Sequence, residues 1–322
     1  MVENSNIEWT DHSFNPWIGC TKVSAACENC YAEKFDARFG HSWGPHVRRR
    51  TSAANWRKPL AWNKAAQATG KRTRVFCASL ADVFDNDRSI TSGWRGDLWH
   101  LIHRTPHLDW MLLTKRPQNI ARFLRPEEYG DLPAWGDGWP NVWLGTTVEN
   151  QTEADRRIPH LLAVPAAVRF LSCEPLLGPV DLTCLHIDGL WFDALAGVME
   201  RHGPISDGLD LVICGGESGS GARPMHPDWA RHLRDQCIKA GVAFHFKQWG
   251  EWAPGESCNH IPTRSEHVAT WWNNEWSFDC ITPSASMEMH RDDEPDLFKV
   301  GKKRAGRLLD GRTWDQMPGG MQ

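Results

Sequence analysis

The sequence predicts an α/β fold, arranged as a partial or complete (β/α) barrel with an open doubly wound sheet as the alternative. Three observations predict it. Seven short apolar runs recur through the first 250 residues, and most are nearly continuous rather than alternating. That is the pattern of parallel strands covered on both faces. Helix-like segments separate the runs. The chain has 322 residues, 41% apolar and 24% charged, enough to bury a large core as one barrel or as two domains.

The strands are expected at Asn15–Gly19, Arg74–Leu80, Trp110–Thr114, Val142–Val148, Val168–Ser172, Leu209–Gly215 and Val242–Gln248. Tyr31–Phe39 and Ile90–Arg104 read as helices between them. Thr152 and Asp155 resemble the start of another, which Pro159 ends or kinks. Pro227–Ala240 opens on Pro and Asp, carries Trp229, Leu233 and Cys237 on one stripe, and is followed by Gly241. Residues 1–250 form the barrel unit, interrupted by an insertion at 185–208 that reads as a short helix. Residues 251–322 form a Trp-rich and then basic C-terminal extension packing on the barrel.

Composition excludes several classes. A formal charge of −4 argues against indiscriminate coating of nucleic acid, and the basic runs Arg48–Arg50 and Lys302–Arg307 read as solvated surface. No apolar run approaches the ~18–20 residues of a membrane helix, and the first residues lack a signal peptide's regions, so a cytoplasmic protein with no membrane partner is expected. Ten cysteines in such a compartment should not build a disulfide framework. Cys77, Cys173, Cys214 and Cys237 sit in apolar stretches and read as small hydrophobes.

Cys20, Cys27 and Cys30 are different, since they cluster within eleven residues after the first strand. The C-x2-C pair can reach one metal centre, and Cys20 can return across a six-residue loop as third ligand. Three thiolates leave one iron of a four-iron cluster open to a small ligand. A zinc site with His12 or a distant residue as fourth ligand is the other reading. Catalytic groups of β/α barrels gather at the C-terminal strand ends, where this loop begins.

The loop and strand rhythm resemble the radical S-adenosylmethionine (SAM) superfamily. Further stretches resemble a family common in phages and prophages, the three-cysteine Gp-type phage proteins: I-E-W-T-D at 7–11, L-T-K-R-P at 113–117, V-W-L-G-T-T-V-E-N-Q at 142–151, F-L-S-C-E-P-L-L-G-P-V at 170–180, I-C-G-G-E-S-G-S-G-A-R-P-M-H-P-D-W at 213–229, F-K-Q-W-G-E-W at 246–252 and K-K-R-A-G-R-L-L-D-G-R-T-W-D at 302–315. The superfamily's usual loop is C-x3-C-x2-C with an aromatic residue before the last cysteine. Here the spacing is C-x6-C-x2-C, Asn29 precedes Cys30 and Tyr31 follows it.

The resemblance implies a barrel of radical SAM type, a [4Fe-4S] cluster on Cys20, Cys27 and Cys30, and SAM bound at the open iron. Reductive cleavage would yield methionine and a 5′-deoxyadenosyl radical that abstracts hydrogen from substrate. It also implies an electron donor such as flavodoxin or ferredoxin, and a bacterial host cytoplasm if the chain is phage-encoded. On this reading Asn29, Ser79, Asp82, Thr147, Glu149 and Glu174 are candidates for holding the cofactor. Lys115, Glu217 and Lys247 are catalytic candidates, and Arg116 and Gln248 substrate-binding ones. The Gly215–Gly221 run is not a P-loop, because it lacks the lysine that such a loop places on phosphate.

The expected activity is therefore hydrogen abstraction, in an isomerase, lyase or transferase subclass, with a modified nucleobase in nucleic acid or a nucleotide as substrate class. A zinc-stabilised nucleic-acid-binding protein without redox chemistry is the alternative. A hydrolase using Asp82, Glu149 and Glu174 around a hard metal is a third, which gives the cysteines no task.

Overall fold

The computed structural model describes residues 7–38, 42–187, 189–258, 265–284 and 296–319. Seven strands form one parallel sheet: β1 (His12–Ser13), β2 (Thr73–Cys77), β3 (Leu108–Thr114), β4 (Val142–Thr147), β5 (Val168–Cys173), β6 (Leu211–Gly215) and β7 (Ala243–Gln248). They lie in sequence order, and every neighbouring pair is parallel. A doubly wound sheet reverses its strand order at a switch point, and this sheet does not. The order is that of a barrel, left open because β1 and β7 do not pair among the described residues.

The curl is visible in one side chain. Trp9 packs its ring 4.8 Å from Phe76 on β2 and 6.2 Å from Phe170 on β5. Three strand spacings in a flat sheet would separate those positions by about 14 Å. Trp9, Phe76, Met111, Trp143, Phe170, Leu211 and Ile213 form one cluster on the concave face. The alternate residues, among them Val75, Leu112, Leu144, Leu171, Val212 and Phe244, pack into the larger core under the helices. Both faces are covered, which is why the strands read as unbroken apolar runs. Gly145 makes the concave packing possible: a Cβ there would lie 2.4 Å from the Phe170 ring.

Among the described residues, five helices of six residues or more connect the strands: α1 (Tyr31–Asp36), α2 (Ala53–Thr69), α3 (Ser92–His103), α4 (Gln151–Leu162) and α5 (Pro227–Ala240). The bounds of α5 are those its sequence predicts, and Gly241 caps it in the left-handed conformation at φ +73°. α4 begins on Asn150, whose side chain accepts from the Glu153 N–H at 3.0 Å, and runs through Pro159 to Leu162. α1 ends at Asp36, short of the predicted Phe39, a position outside the described residues.

Other expectations need correction. The apolar run Asn15–Gly19 is not the first strand. Its Trp17–Ile18 pairs antiparallel with Arg49–Arg50, and the sheet begins at His12–Ser13 instead. The insertion expected as a short helix forms four antiparallel strands, Leu185–Ile187, Leu190–Asp193, Val198–Met199 and Gly203–Pro204. Gly189, Gly197 and Gly203 lie at or beside its turns with positive φ.

Beyond β7 the chain builds a second antiparallel sheet from Trp252–Pro254, Glu266–Trp272, Glu275–Ile281 and Leu297–Lys299. Asn273 and Asn274, both at positive φ, turn its long hairpin. The last described residues return to the half-barrel. The Phe246 N–H donates to Trp314 O at 2.9 Å, the Phe244 N–H to the Gln316 side chain at 2.9 Å, and Met317 packs against the concave cluster. The edge of β7 is thereby covered. No helix of the described residues is long and apolar enough to cross a membrane.

Candidate active site

A cavity of about 550 Å³ opens at the C-terminal ends of the parallel strands, a size typical of small-molecule sites. The two-residue period of a strand decides which side chains reach it. Positions on the concave face of the strands, continued past their ends, bring Ala78, Lys115, Thr147, Ser172, Glu174 and Lys247 to its wall.

The cysteine loop forms the opposite wall. Cys20, Cys27 and Cys30 are half-buried and all line the cavity. Gly19 precedes them at φ +114°, where a Cβ would lie 2.2 Å from the Ser42 carbonyl, so only glycine lets the chain turn there.

Three polar anchors hold this loop. At its start, Arg116 donates to Cys20 Sγ at 3.4 Å, to the Thr21 carbonyl at 2.7 Å and to Asp82 at 3.1 Å. Asp82 also accepts from Thr114 Oγ1 at 2.7 Å and from the Lys115 and Phe84 N–H groups, so its carboxylate is fully engaged by the protein. Burial, reinforced by Asp82 and opposed by Arg116, pushes the Cys20 thiol up to about 12. At its middle, buried Glu149 accepts from the Ala26 N–H at 3.3 Å and pairs with buried Arg157 at 2.8 Å. At its end, Asn29 donates to Glu217 at 3.0 Å and to the Gly221 carbonyl at 2.7 Å.

The remaining polar residues hold one another. Glu217 is bound by Arg223 through Nη2 at 2.8 Å and Nε at 3.0 Å. Burial raises the Glu217 carboxyl, but these bonds from Arg223, with Asn29, outweigh it and hold it below its ordinary value. Lys247 Nζ donates to Glu174, and Gln248 donates to Ser218 Oγ at 2.9 Å. Ser79 accepts from Asn15 at 3.0 Å, while its carbonyl accepts from the Tyr31 hydroxyl at 2.8 Å.

Every cluster, cofactor, catalytic and substrate candidate of the radical SAM reading therefore lines this one cavity except Glu149, which lies beneath the loop in its ion pair. His12, the proposed fourth zinc ligand, does not line it either and stacks on Trp62 at 4.3 Å. Cys77, Cys173, Cys214 and Cys237 are fully buried in the core, as their apolar surroundings suggested.

Sequence reasoning missed Asn15, Arg48, Arg223 and Lys302. Arg48 belongs to a basic run read as surface, yet it is 2% exposed and binds Asp85 at 2.9 Å and Thr21 Oγ1 at 2.6 Å. Its neighbours Arg49 and Arg50 are exposed. Lys302, from the other basic run, lines the cavity. Their neighbours in the chain gave no signal. The partners of Arg48 include Asp85, far along the sequence, and those of Arg223 include Glu28 and the Ala25 carbonyl in the cysteine loop.

The donor set suits a soft-metal cluster in chemistry, with three thiols on one wall beside a cavity able to take a further ligand. The three sulfurs share that wall without converging on a ready metal position, since no group of three or more His, Cys, Asp or Glu is so gathered among the described residues.

One family model matches the sequence, over residues 4–318, and is described as "Protein of unknown function (DUF5131)". The chain belongs to this family. No curated protein and no solved structure matches it. In this DUF5131 chain the cysteine loop, all seven parallel strands and the returning segment through Met317 fall inside the matched span.

Proposed function

We propose that the chain is a radical SAM enzyme that abstracts hydrogen from a modified nucleobase, in nucleic acid or in a nucleotide, within an isomerase, lyase or transferase subclass. The observation that carries this reading is the meeting of three half-exposed thiols with the polar strand ends of a parallel half-barrel in one cavity. Cys20, Cys27 and Cys30 would hold a [4Fe-4S] cluster with one iron left for SAM. Bound together, cluster and SAM would supply one-electron reductive cleavage and hydrogen abstraction, with electrons from a flavodoxin or ferredoxin.

The chain's own residues orient and enclose. Arg116 and Arg48 fix the loop's first half, and Asn29, with Arg223, fixes its second half to Glu217. Asp82 and Glu149, already saturated by protein donors, act as supports for the loop rather than as direct ligands. Ser79, Thr147 and Glu174 remain on the cavity wall to meet SAM. Lys115, Lys247 and Gln248 meet the substrate. The apolar floor of Trp9 and Phe76 keeps water from the reacting groups.

Anaerobic reconstitution with iron and sulfide tests this. The expected result is a brown protein with about four irons per chain that forms 5′-deoxyadenosine from SAM and a reductant. A colourless protein holding one zinc, inert toward SAM, would instead favour the zinc-stabilised nucleic-acid-binding alternative.

A further inference from the structure

The charges around the cavity do not balance. Each lining carboxylate is already committed: Asp82 to Arg116 at 3.1 Å, Glu174 to Lys247, and Glu217 to Arg223 at 2.8 Å. Lys22 is paired with Glu33 at 2.7 Å. Two lining ammonium groups have no hydrogen bond or ion pair among the described residues: Lys115, half-buried at the end of β3, and Lys302, exposed at the start of the short helix Lys302–Ala305. The cavity thus presents two positive charges that no described residue answers.

A second observation is independent of charge. Three buried polar atoms on residues of the cavity wall also lack a partner among the described residues, the donor Trp9 Nε1 and the oxygens Thr147 Oγ1 and Gln248 Oε1, on residues 2%, 1% and 4% exposed. The Gln248 amide nitrogen faces the Glu174 carboxylate at 3.5 Å, an acceptor, as well as Ser218 Oγ at 2.9 Å, which fixes which way the side chain is turned, and its oxygen can only accept. Buried acceptors are almost always satisfied in folded proteins, so one left open on a cavity wall marks a place that a ligand donor completes.

We infer that the substrate of this cavity carries a phosphate monoester, held by Lys115 and Lys302, and presents an N–H or O–H donor to Gln248 Oε1. A phosphate monoester carries nearly two negative charges at neutral pH and matches both lysines, whereas a carboxylate answers one and a neutral nucleoside none. A nucleotide unites such an anion with a heterocycle bearing donors. The exposed aromatic ring of Tyr31, at the start of α1, lines the same cavity and offers flat surface to such a heterocycle. Calling the ligand a substrate rests on the enzyme reading above; the ligand chemistry itself does not. A free nucleotide and the phosphorylated end of a nucleic-acid strand share this chemistry.

Calorimetric titration of the full-length protein with the four ribonucleoside 5′-monophosphates and their unphosphorylated nucleosides tests the assignment. At least one monophosphate is expected to bind about tenfold or more tightly than its nucleoside, and Lys115→Ala and Lys302→Ala are each expected to weaken it about tenfold. Lys239→Ala, on the exposed end of α5, should change nothing. Lys302 is exposed, so its variant keeps the test sound should Lys115→Ala fold poorly. Preference for a 5′-phosphorylated oligonucleotide assigns the polymer end, and preference for the mononucleotide assigns the free form. No binding, equal binding of nucleoside and monophosphate, or unchanged binding in both lysine variants overturns the assignment. The titration needs neither iron nor SAM, so its failure is distinguishable from failure of cluster assembly or SAM cleavage.

Discussion

The guanidinium of Arg116 stands between the Cys20 sulfur, at 3.4 Å, and the Asp82 carboxylate, at 3.1 Å, joining the first cysteine to the end of β3. Both members of the ion pair are about nine-tenths buried, with side-chain exposures of 7% each. Removing the cation leaves Asp82 charged and enclosed. Arg116→Met is expected to cost about 3–5 kcal/mol in urea unfolding, and Asp82→Asn in the same chain should recover part of it. A cost under about 1 kcal/mol would mean that the pair is open to solvent.

The cysteines divide by surroundings. Replacing Cys20, Cys27 or Cys30 by Ala should abolish iron uptake on reconstitution and barely shift the urea midpoint. Cys237→Ala should keep the iron and lower stability by about 1 kcal/mol, because its sulfur fills core space between α5 and the sheet. Iron per chain and the unfolding midpoint, measured on the same samples, separate the two groups. Full iron loading in all three loop variants would dismiss the loop as a cluster site.

Gly145 carries the concave packing. Adding one methyl group in Gly145→Ala places it 2.4 Å from the Phe170 ring and should cost about 1–3 kcal/mol by overpacking. Phe170→Leu in the same chain should relieve part of that loss. A neutral Gly145→Ala in thermal or urea unfolding would show that the ring moves aside freely.

His245 is 2% exposed on the concave face of β7, and neither ring nitrogen has a hydrogen-bond partner among the described residues. Burial first, then the positive charges of Arg307, Arg74 and Lys247, hold its imidazole down to about 3, against 6.5 for a free ring. The half-exposed Asp315 carboxylate lies 3.8 Å away. Below the free value the unfolded chain takes up a proton that the folded chain refuses. The contribution is intact above that value and falls by up to about 1.4 kcal/mol per pH unit as the pH drops toward the folded one. Urea midpoints between about pH 7.5 and 5 should fall more steeply in the wild type than in His245→Phe; parallel profiles would refute this.

Six of the seven parallel strands were legible because each is buried on both sides and written as a continuous apolar run. β1 was not. It has only two residues, and the stronger apolar run beside it pairs with Arg49–Arg50 instead. Helix α2 escaped notice for a related reason. Its buried positions Asn55, Pro59, Trp62 and Ala66 have helical spacing, but only Trp62 is a large hydrophobe. Asn55 is inside because its amide donates to the Asn15 carbonyl at 3.0 Å, a contact no periodicity reveals. In the site, the polar strand ends and the cysteine loop could be read from chain order and strand parity. The clamps could not, since Arg48 and Arg223 are defined by the groups they reach across the fold.

The return of Trp314–Met317 to β7 and the concave face has a consequence for synthesis. While the polypeptide is still leaving the ribosome, the rim of β7 and the concave face lack these covering residues until synthesis has passed the antiparallel sheet that follows β7 and reached Met317. Nascent chains of this protein would thus expose a sticky strand edge from the completion of β7 until that point, a hazard that chaperones exist to manage.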